Sequence, residues 1–209
     1  IAGRAGRYKK DGTFGVTGEA NEIEEDVILR IEEHRFIPIA SAKWRNKKLD
    51  FTSLNNLISS LKSLPSKVAL GVSRQADDLK ALIRLSQDNE IKETANNLSR
   101  IKTLWETSQI PDFRNISEGE HTKMISLIFK KICEEEQLSD DWLREQIRPI
   151  EKYYGDISTL SNRLAYIRTW TFISQKSKWI KNPDYWQKKT RLIEDKLSCL
   201  LYTSDAADE

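Results

Sequence analysis

The chain has 209 residues, of which 38% are hydrophobic and 32% charged, and its formal net charge is +2. This composition is typical of a folded globular protein and excludes an intrinsically disordered one, and the length suits one or two modest domains. No apolar run approaches the roughly 18 residues that cross a bilayer, so we expect no membrane partner.

The first 36 residues predict a mixed segment. Residues 1–7 resemble the end of a helix, and the glycine-punctuated "KKDGTFGVTGEA" that follows predicts a turn and a short strand. The stretch "NEIEEDVILRIEEHRF" predicts a helix, because Ile23, Val27 and Ile31 recur every four residues and form a stripe that we expect to be buried.

The apolar spacing predicts about eight helices in the whole chain and almost no strand after residue 20. Asp50 is expected to cap a helix whose apolar face is Leu54, Leu57, Ile58 and Leu61. Residues 75–88 predict a short helix, and residues 90–110 predict one continuous helix with Ile91, Ala95, Leu98, Ile101 and Trp105 on one face.

Four further helices have recognisable start signals. These signals are a capping box of Ser117 and Glu120, N-caps at Ser139 and Asp156, and Asn182 followed by Pro183 at the first helical position.

The last eleven residues, "CLLYTSDAADE", resemble the read-through translation of a transposase sequencing adaptor. We therefore expect residues 199–209 to form no domain and not to continue the preceding helix; a short acidic disordered tail is the alternative. Without Asp205, Asp208 and Glu209 the net charge rises from +2 to +5, which suits a polyanionic partner.

No metal site is predicted. Cys133 and Cys199 are far apart and lack metal-type spacing, which favours a reducing compartment. His34 and His121 stand apart from any cysteine or carboxylate pattern, and we expect both at the surface or at its boundary.

The opening "IAGRAGR" carries two arginines, each next to a glycine and three residues apart. On a helical turn Arg4 and Arg7 share a face, and Gly3 and Gly6 remove the bulk beside them. Two planar guanidinium groups on a bare backbone suit a polyphosphate. Spacing alone equally allows two solvated arginines at a glycine-rich helix end.

The same stretch resembles the sixth conserved motif of superfamily 2 helicases, of the form Q-x-x-G-R-x-G-R; the resemblance implies a glutamine one residue before Ile1, outside this sequence. In that family the motif lies on the second RecA-like domain and faces the nucleotide. The resemblance implies that Arg7 is an arginine finger, that Arg4 makes the neighbouring phosphate contact, and that both bind the nucleotide together with Gly3 and Gly6.

Later stretches of the sequence point to one group within this helicase superfamily. The stretches "FIPIASAKWRNKKLDF", "LWETSQIPDFR" and "LAYIRTWTFIS" are similar to the helical region of alphaproteobacterial relatives of the mitochondrial RNA degradosome helicase. The implied fold is mainly α: residues 1–36 end a RecA-like α/β domain, and residues 37–198 form an all-α accessory region. The implied function is ATP-dependent RNA unwinding in RNA decay.

A helicase motor also needs a phosphate-binding G-x-x-x-x-G-K-[ST] loop and an acidic Mg²⁺-binding box, and this sequence has neither. We therefore expect this chain alone to be inactive, with ATP and Mg²⁺ bound mainly by a preceding part. The implied partners are RNA, that motor domain and an exoribonuclease, in the bacterial cytoplasm or, in a eukaryote, the mitochondrion.

Two basic stretches are candidate RNA contacts. "WRNKK" places Arg45, Lys47 and Lys48 together, although a loop held by a buried Trp44 explains it as well. Arg168 begins "RTWTFISQKSKWIKNPDYWQKKTR", in which aromatic residues alternate with cations. Aromatic residues at helical spacing belong to the hydrophobic core more often than to a nucleic-acid surface.

Asp77 and Asp78 are adjacent in the sequence. Neighbouring residues on a helix do not face each other, so this pair suits the first turn of a helix rather than an acid–base pair.

Two other functions remain open on the sequence. One is a non-catalytic helical adaptor that binds RNA or protein, and the other is a DNA-directed superfamily 2 helicase. The presence of motor motifs separates an adaptor from a helicase, and substrate preference separates RNA from DNA.

Overall fold

The computed structural model describes residues 11–18, 20–36, 38, 42–66, 70–72, 76–115 and 118–205. These residues are mainly helical, as the sequence predicts. The chain divides into two compact units, one of residues 1–43 and 69–71 and one of residues 44–68 and 72–209.

The described part of the first unit contains helix α1 (Glu25–Glu32) and most of strands β1 (Ala42–Trp44) and β2 (Leu70–Val72), which pair as a two-stranded sheet. Residues 11–18 form no strand, so the strand predicted there is absent from the described part of that segment. Gly18 instead lies in a turn at φ 60°, a backbone conformation that glycine adopts without strain.

The predicted helix around Val27 is present, but its buried stripe is wrong. No α1 side chain is buried; Val27 is exposed, and Ile23 and Ile31 are only partly covered. The periodicity therefore predicts the amphipathic helix correctly. The described residues of this small unit do not cover the apolar side of the eight-residue helix.

Eight helices make up the described part of the second unit. They are α2 (Leu54–Lys62), α3 (Asp77–Leu85), α4 (Asn89–Thr94), α5 (Leu98–Ser108), α6 (Glu118–Glu135), α7 (Asp140–Ile147), α8 (Ile157–Ser174) and α9 (Pro183–Asp205), with a 3₁₀ turn at Ser177–Trp179. None of the helices in the described part of the chain has the length and apolarity to cross a bilayer.

Side chains at the N-caps set several helix starts. Ser139 and Asp156 accept the backbone N–H of Trp142 and Thr159, which confirms both predicted caps. The hydrogen bonds from Thr159 hold the pKa of Asp156 below its usual value. Asp50 is not the cap of α2: Ser53 caps it, and Asp50 accepts the N–H of Thr52 at 2.9 Å in a local turn.

The single helix predicted over residues 90–110 is two helices. The chain leaves the helical conformation at Ala95, and Asn97 caps α5 by accepting the N–H of Arg100. Leu98, predicted to be buried, is 51% exposed at the first position of α5. An asparagine side chain that competes for a backbone N–H outweighs continuous apolar spacing here.

The expectation that Cys199 begins a break from the preceding helix is wrong. Helix α9 continues to Asp205, and Leu200 and Leu201 pack against the core. They follow the buried Leu197 by three and four residues, so they extend its apolar stripe by one turn.

Two hydrophobic clusters hold the second unit together. The α2–α6 cluster comprises Leu57, Leu61, Leu79, Ala81, Leu82, Leu85, Ile91, Ala95, Ile101, Leu104, Trp105, Ile125 and Phe129. The α6–α9 cluster comprises Ile110, Ile128, Ile132, Leu138, Leu143, Ile147, Ile150, Leu160, Ile167, Trp170, Ile173, Trp179, Ile180, Trp186, Ile193 and Leu197. Helix α6 contributes to both.

The Asp140 carboxylate joins the first turns of α7 and α9. Its Oδ1 accepts the indole N–H of Trp186 at 2.8 Å, and its Oδ2 accepts the amide of Asn182. Trp186 is 1% exposed, so this bond satisfies a polar atom inside the α6–α9 cluster. The backbone N–H of Leu138 donates to the Trp179 carbonyl at 2.6 Å and holds the same two segments.

We predict that Asp140→Ala lowers the free energy of unfolding by roughly 1–3 kcal/mol, because it leaves the buried Trp186 N–H without an acceptor. Asp141→Ala is the matched control: it also removes a carboxylate from the first turn of α7, but Asp141 is exposed and pairs only with Arg144 in the described structure. Denaturant unfolding of both variants measures the change in the free energy of unfolding. Equal losses of stability would show that the charge at the helix terminus, and not the bond to Trp186, causes the effect.

Candidate functional site

The four motif residues of the predicted nucleotide site, Gly3, Arg4, Gly6 and Arg7, lie outside the described residues. Their roles stay predictions. The described structure does place the predicted RNA-contact residues Arg45, Lys47, Lys48 and Arg168.

Arg45 lies at the start of the loop that follows β1, and its guanidinium is held on both sides. Nη1 and Nη2 each donate to one carboxylate oxygen of Asp78 at 2.9 Å, a bidentate pair across 33 residues. The guanidinium carbon also lies 5.5 Å from the ring centroid of Trp105, within cation–π range. Arg45 therefore joins the loop to α3 and α5.

Asn46 fixes the rest of this loop. Its side-chain amide donates to the carbonyls of Ser60 and Lys48, at 2.8 and 3.0 Å, and its side-chain oxygen accepts the N–H of Lys48 at 3.0 Å. Trp44 is only partly buried, so Arg45 and Asn46 hold the loop more than Trp44 does. The result is a rigid turn from which Lys47 and Lys48 extend into solvent.

Arg168 belongs to a different part of the second unit. It lies on α8, and its Nε donates to Glu194 of α9 at 3.3 Å; the other Glu194 oxygen accepts the Thr171 hydroxyl at 3.0 Å. Because Arg45 packs on the α2–α6 cluster and Arg168 on the α6–α9 helices, these two predicted contacts belong to separate surfaces.

The aromatic residues near Arg168 are mostly core. Trp170, Trp179 and Trp186 are 1–3% exposed, so their faces are closed to stacking with bases. Tyr185 is half exposed and differs from them in this respect. For the tryptophans, the core interpretation of the interleaved stretch is the correct one.

His121 is buried, which overturns its predicted surface position. Its Nε2 lies 3.0 Å from the Ile110 carbonyl oxygen. Because a carbonyl only accepts, Nε2 carries the hydrogen, and in the neutral ring Nδ1 is an acceptor. Nδ1 is buried with no hydrogen-bond partner among the described residues, and Asp112 Oδ1 lies 4.0 Å away.

His121 and Asp112 line a cavity of about 480 Å³ with residues of α3 and of the α5–α6 connection, among them Asp77, Lys80 and Asn115. Lys80 pairs with Asp77 at 2.9 Å. Of the hydroxyls that line it, Ser108 donates to the Leu104 carbonyl at 2.7 Å, so it is not paired with the imidazole. With one His121 nitrogen on a carbonyl and the other unpartnered, the described cavity lacks a histidine-activated nucleophile.

Burial raises the pKa of Cys133, which favours the unreactive protonated form, and Cys199 is exposed on α9. Across the described ranges, no three or more His, Cys, Asp or Glu side chains come together as metal ligands.

Comparison of the chain with protein-family models, with curated proteins and with solved structures found no match. Function is therefore inferred from the residues of this chain.

We predict that Arg45→Ala lowers the free energy of unfolding by about 1–2 kcal/mol, because it removes the ion-pair partner of the mostly buried Asp78 carboxylate, which keeps only the Leu79 N–H among the described donors, and uncovers Trp105. Arg45→Lys should lose most of the same stability, since an ammonium cannot form the bidentate pair. Lys47→Ala is the exposed control in the same loop. Thermal unfolding measures all three, and an Arg45→Ala protein as stable as the control would contradict the structural role.

Proposed function

We propose that this chain is the C-terminal part of a superfamily 2 ATP-dependent RNA helicase. The observation that carries the proposal is "IAGRAGR" followed by a long helical region. The described helices from Leu54 to Asp205 agree with the all-α accessory region that such a protein has after its motor.

In this proposal the chain supplies positive charge to a nucleotide that a preceding motor domain holds. Arg7 contacts the γ-phosphate and stabilises the negative charge that develops there in the transition state. Arg4 contacts the neighbouring phosphate oxygens. Gly3 and Gly6 allow the backbone to approach the phosphates, because neither has a side chain.

ATP and Mg²⁺ belong to the same proposal, and the motor domain holds most of both. The bound metal would neutralise phosphate charge during transfer. Arg4 and Arg7 complete the charge balance from the opposite side of the nucleotide.

RNA is the proposed substrate, and an exoribonuclease that degrades the unwound strand is the proposed partner. Support comes from the loop at Arg45: two exposed lysines follow a residue pair that holds the backbone rigid. Lysines presented in this way bind phosphates without reading sequence, as an unwinding enzyme requires. The proposed location is the bacterial cytoplasm or the mitochondrion.

We predict that Arg7→Ala reduces ATP turnover by roughly 10³-fold or more in the protein that carries this chain behind its motor domain. Nucleotide affinity should change far less, because the other domain provides most of the binding. Lys9→Ala is the control, since it removes a nearby cation that the motif does not include. The chain alone should show no turnover.

Steady-state ATPase assays and nucleotide titrations provide the two readouts. Turnover of Arg7→Ala near the wild-type rate would show that Arg7 is not the arginine finger. A protein with no motor motifs before Ile1 would favour the helical adaptor, and strong preference for DNA duplexes would favour the DNA-directed helicase.

We predict that Lys47→Glu combined with Lys48→Glu weakens binding of single-stranded RNA about tenfold at low salt. The slope of log affinity against log salt should fall by about 1.4, at roughly 0.7 for each phosphate contact. Lys92→Glu with Lys123→Glu is the control, because it changes net charge equally at exposed positions on α4 and α6. Fluorescence anisotropy measures the RNA affinity of both double variants. Equal losses of affinity would show that the change in overall charge causes the effect.

A further inference from the structure

Helix α9 has one flank that is cationic and partly aromatic. This α9 flank consists of Tyr185, Lys188, Lys189, Leu192 and Lys196. At 100° per residue these side chains fall within a sector of about 100° and extend along roughly 16 Å of helix.

The other sides of α9 have different characters. Its opposite face is buried in the α6–α9 cluster, through Trp186, Thr190, Ile193 and Leu197. Its acidic residues Asp184, Glu194 and Asp195 lie outside the sector of the flank, and Glu194 is occupied by Arg168 and Thr171. The sector itself contains no carboxylate of α9, although Asp184, Glu194 and Asp195 line a surface pocket together with Lys188 at its edge.

A loop after α7 extends the flank. Lys196 Nζ lies 5.0 Å from the ring centroid of Tyr153, and Lys189 Nζ lies 3.2 Å from Glu151 Oε2. These contacts place residues 151–154 beside α9. The exposed Lys152 and Tyr154 belong to the same loop.

Arg163 and Gly155 hold this loop in shape. Arg163 donates to the carbonyls of Lys152, at 2.8 Å, and of Tyr154, and its guanidinium carbon lies 5.6 Å from the Tyr154 ring centroid. Gly155 has φ 136°, and a Cβ there would lie 3.0 Å from Thr159 Cγ2. The ring of Tyr154, 70% exposed, is thus presented by a restrained backbone.

The exposed groups select the partner. Two tyrosine rings are exposed: Tyr185, at 51%, on the flank with Lys188 and Lys196, and Tyr154, at 70%, in the loop with Lys152. Aromatic faces that stack on bases, with cations beside them that bind phosphates, suit a single nucleic-acid strand. A membrane surface would require a wider apolar face than the one exposed leucine, Leu192, that the flank has.

We propose that the α9 flank and residues 152–154 bind single-stranded RNA, with bases stacked on Tyr185 and Tyr154 and phosphates bound by Lys188, Lys196 and Lys152. The choice of RNA rests on the proposed helicase function. Tyr185 and Lys188 belong to the basic and aromatic stretch that the sequence offers as a candidate RNA contact, and the structure adds Lys196 and the 151–154 loop to them.

The test is fluorescence anisotropy of a short labelled oligouridine with the chain as it stands. Lys188→Glu with Lys196→Glu should weaken binding about tenfold or more at low salt and lower the salt slope by about 1.4. Lys181→Glu with Arg191→Glu makes the same charge change at exposed positions off the flank and should have a much smaller effect. Equal losses from the two pairs would overturn the proposal.

Stacking has its own test. Tyr185→Ala should weaken binding by about five- to a hundredfold, and Tyr185→Phe should retain affinity because its ring still stacks. Circular dichroism confirms that each variant is folded. Unchanged affinity of Tyr185→Ala would refute the stacking role, and a wild-type chain that binds phosphatidylserine vesicles but not oligouridine would replace RNA with a membrane.

These outcomes are separable from those of the ATPase experiment. Loss of turnover in Arg7→Ala with no effect of the flank variants on RNA affinity would retain the helicase and overturn the RNA surface. RNA binding that depends on the flank, together with unchanged turnover in Arg7→Ala, would retain the RNA surface and overturn the helicase.

Discussion

The second unit depends on the two adjacent apolar stripes of α6. Ile125 and Phe129 enter the α2–α6 cluster, and Ile128 and Ile132 enter the α6–α9 cluster. Because successive residues turn by 100°, the two stripes together occupy a wide sector, and only the remaining side of the helix is available to solvent. One rigid helix thus forms a wall of both clusters, so a change of side-chain volume in one of them also strains the other.

Around this core, cations divide into arginines held by several contacts and lysines exposed to solvent. Arg45 is held by Asp78 and Trp105, and Arg163 by two carbonyls and Tyr154. Arginine suits these positions because its planar fork makes several bonds in a fixed geometry. The lysines are exposed instead: Lys47 lies two residues after the restrained Arg45, and Lys188 lies on the α9 flank. This fixed placement supports their proposed role in binding phosphates.

Local signals in the sequence predicted local structure well. Ser139 and Asp156 cap their helices as expected, because an N-cap needs only a side-chain oxygen and the next turn of backbone. Asp50 failed because Ser53 competes three residues later, and the break at Asn97 has the same cause. The burial of His121 and the pairing of Arg45 with Asp78 depend on contacts across 11 and 33 residues, which periodicity does not encode.

The two kinds of cation have different consequences for the proposed helicase. A ligand shifts a conformational equilibrium only by its difference in affinity for the two states. Lysines carried on α9, which packs firmly into the α6–α9 cluster, keep their arrangement whatever nucleotide the motor holds. They would therefore bind RNA equally in every nucleotide state and retain the strand between steps. In this proposal a change in RNA affinity during ATP turnover would arise at the motor, where Arg7 would contact a phosphate that is present in one state and absent in the next.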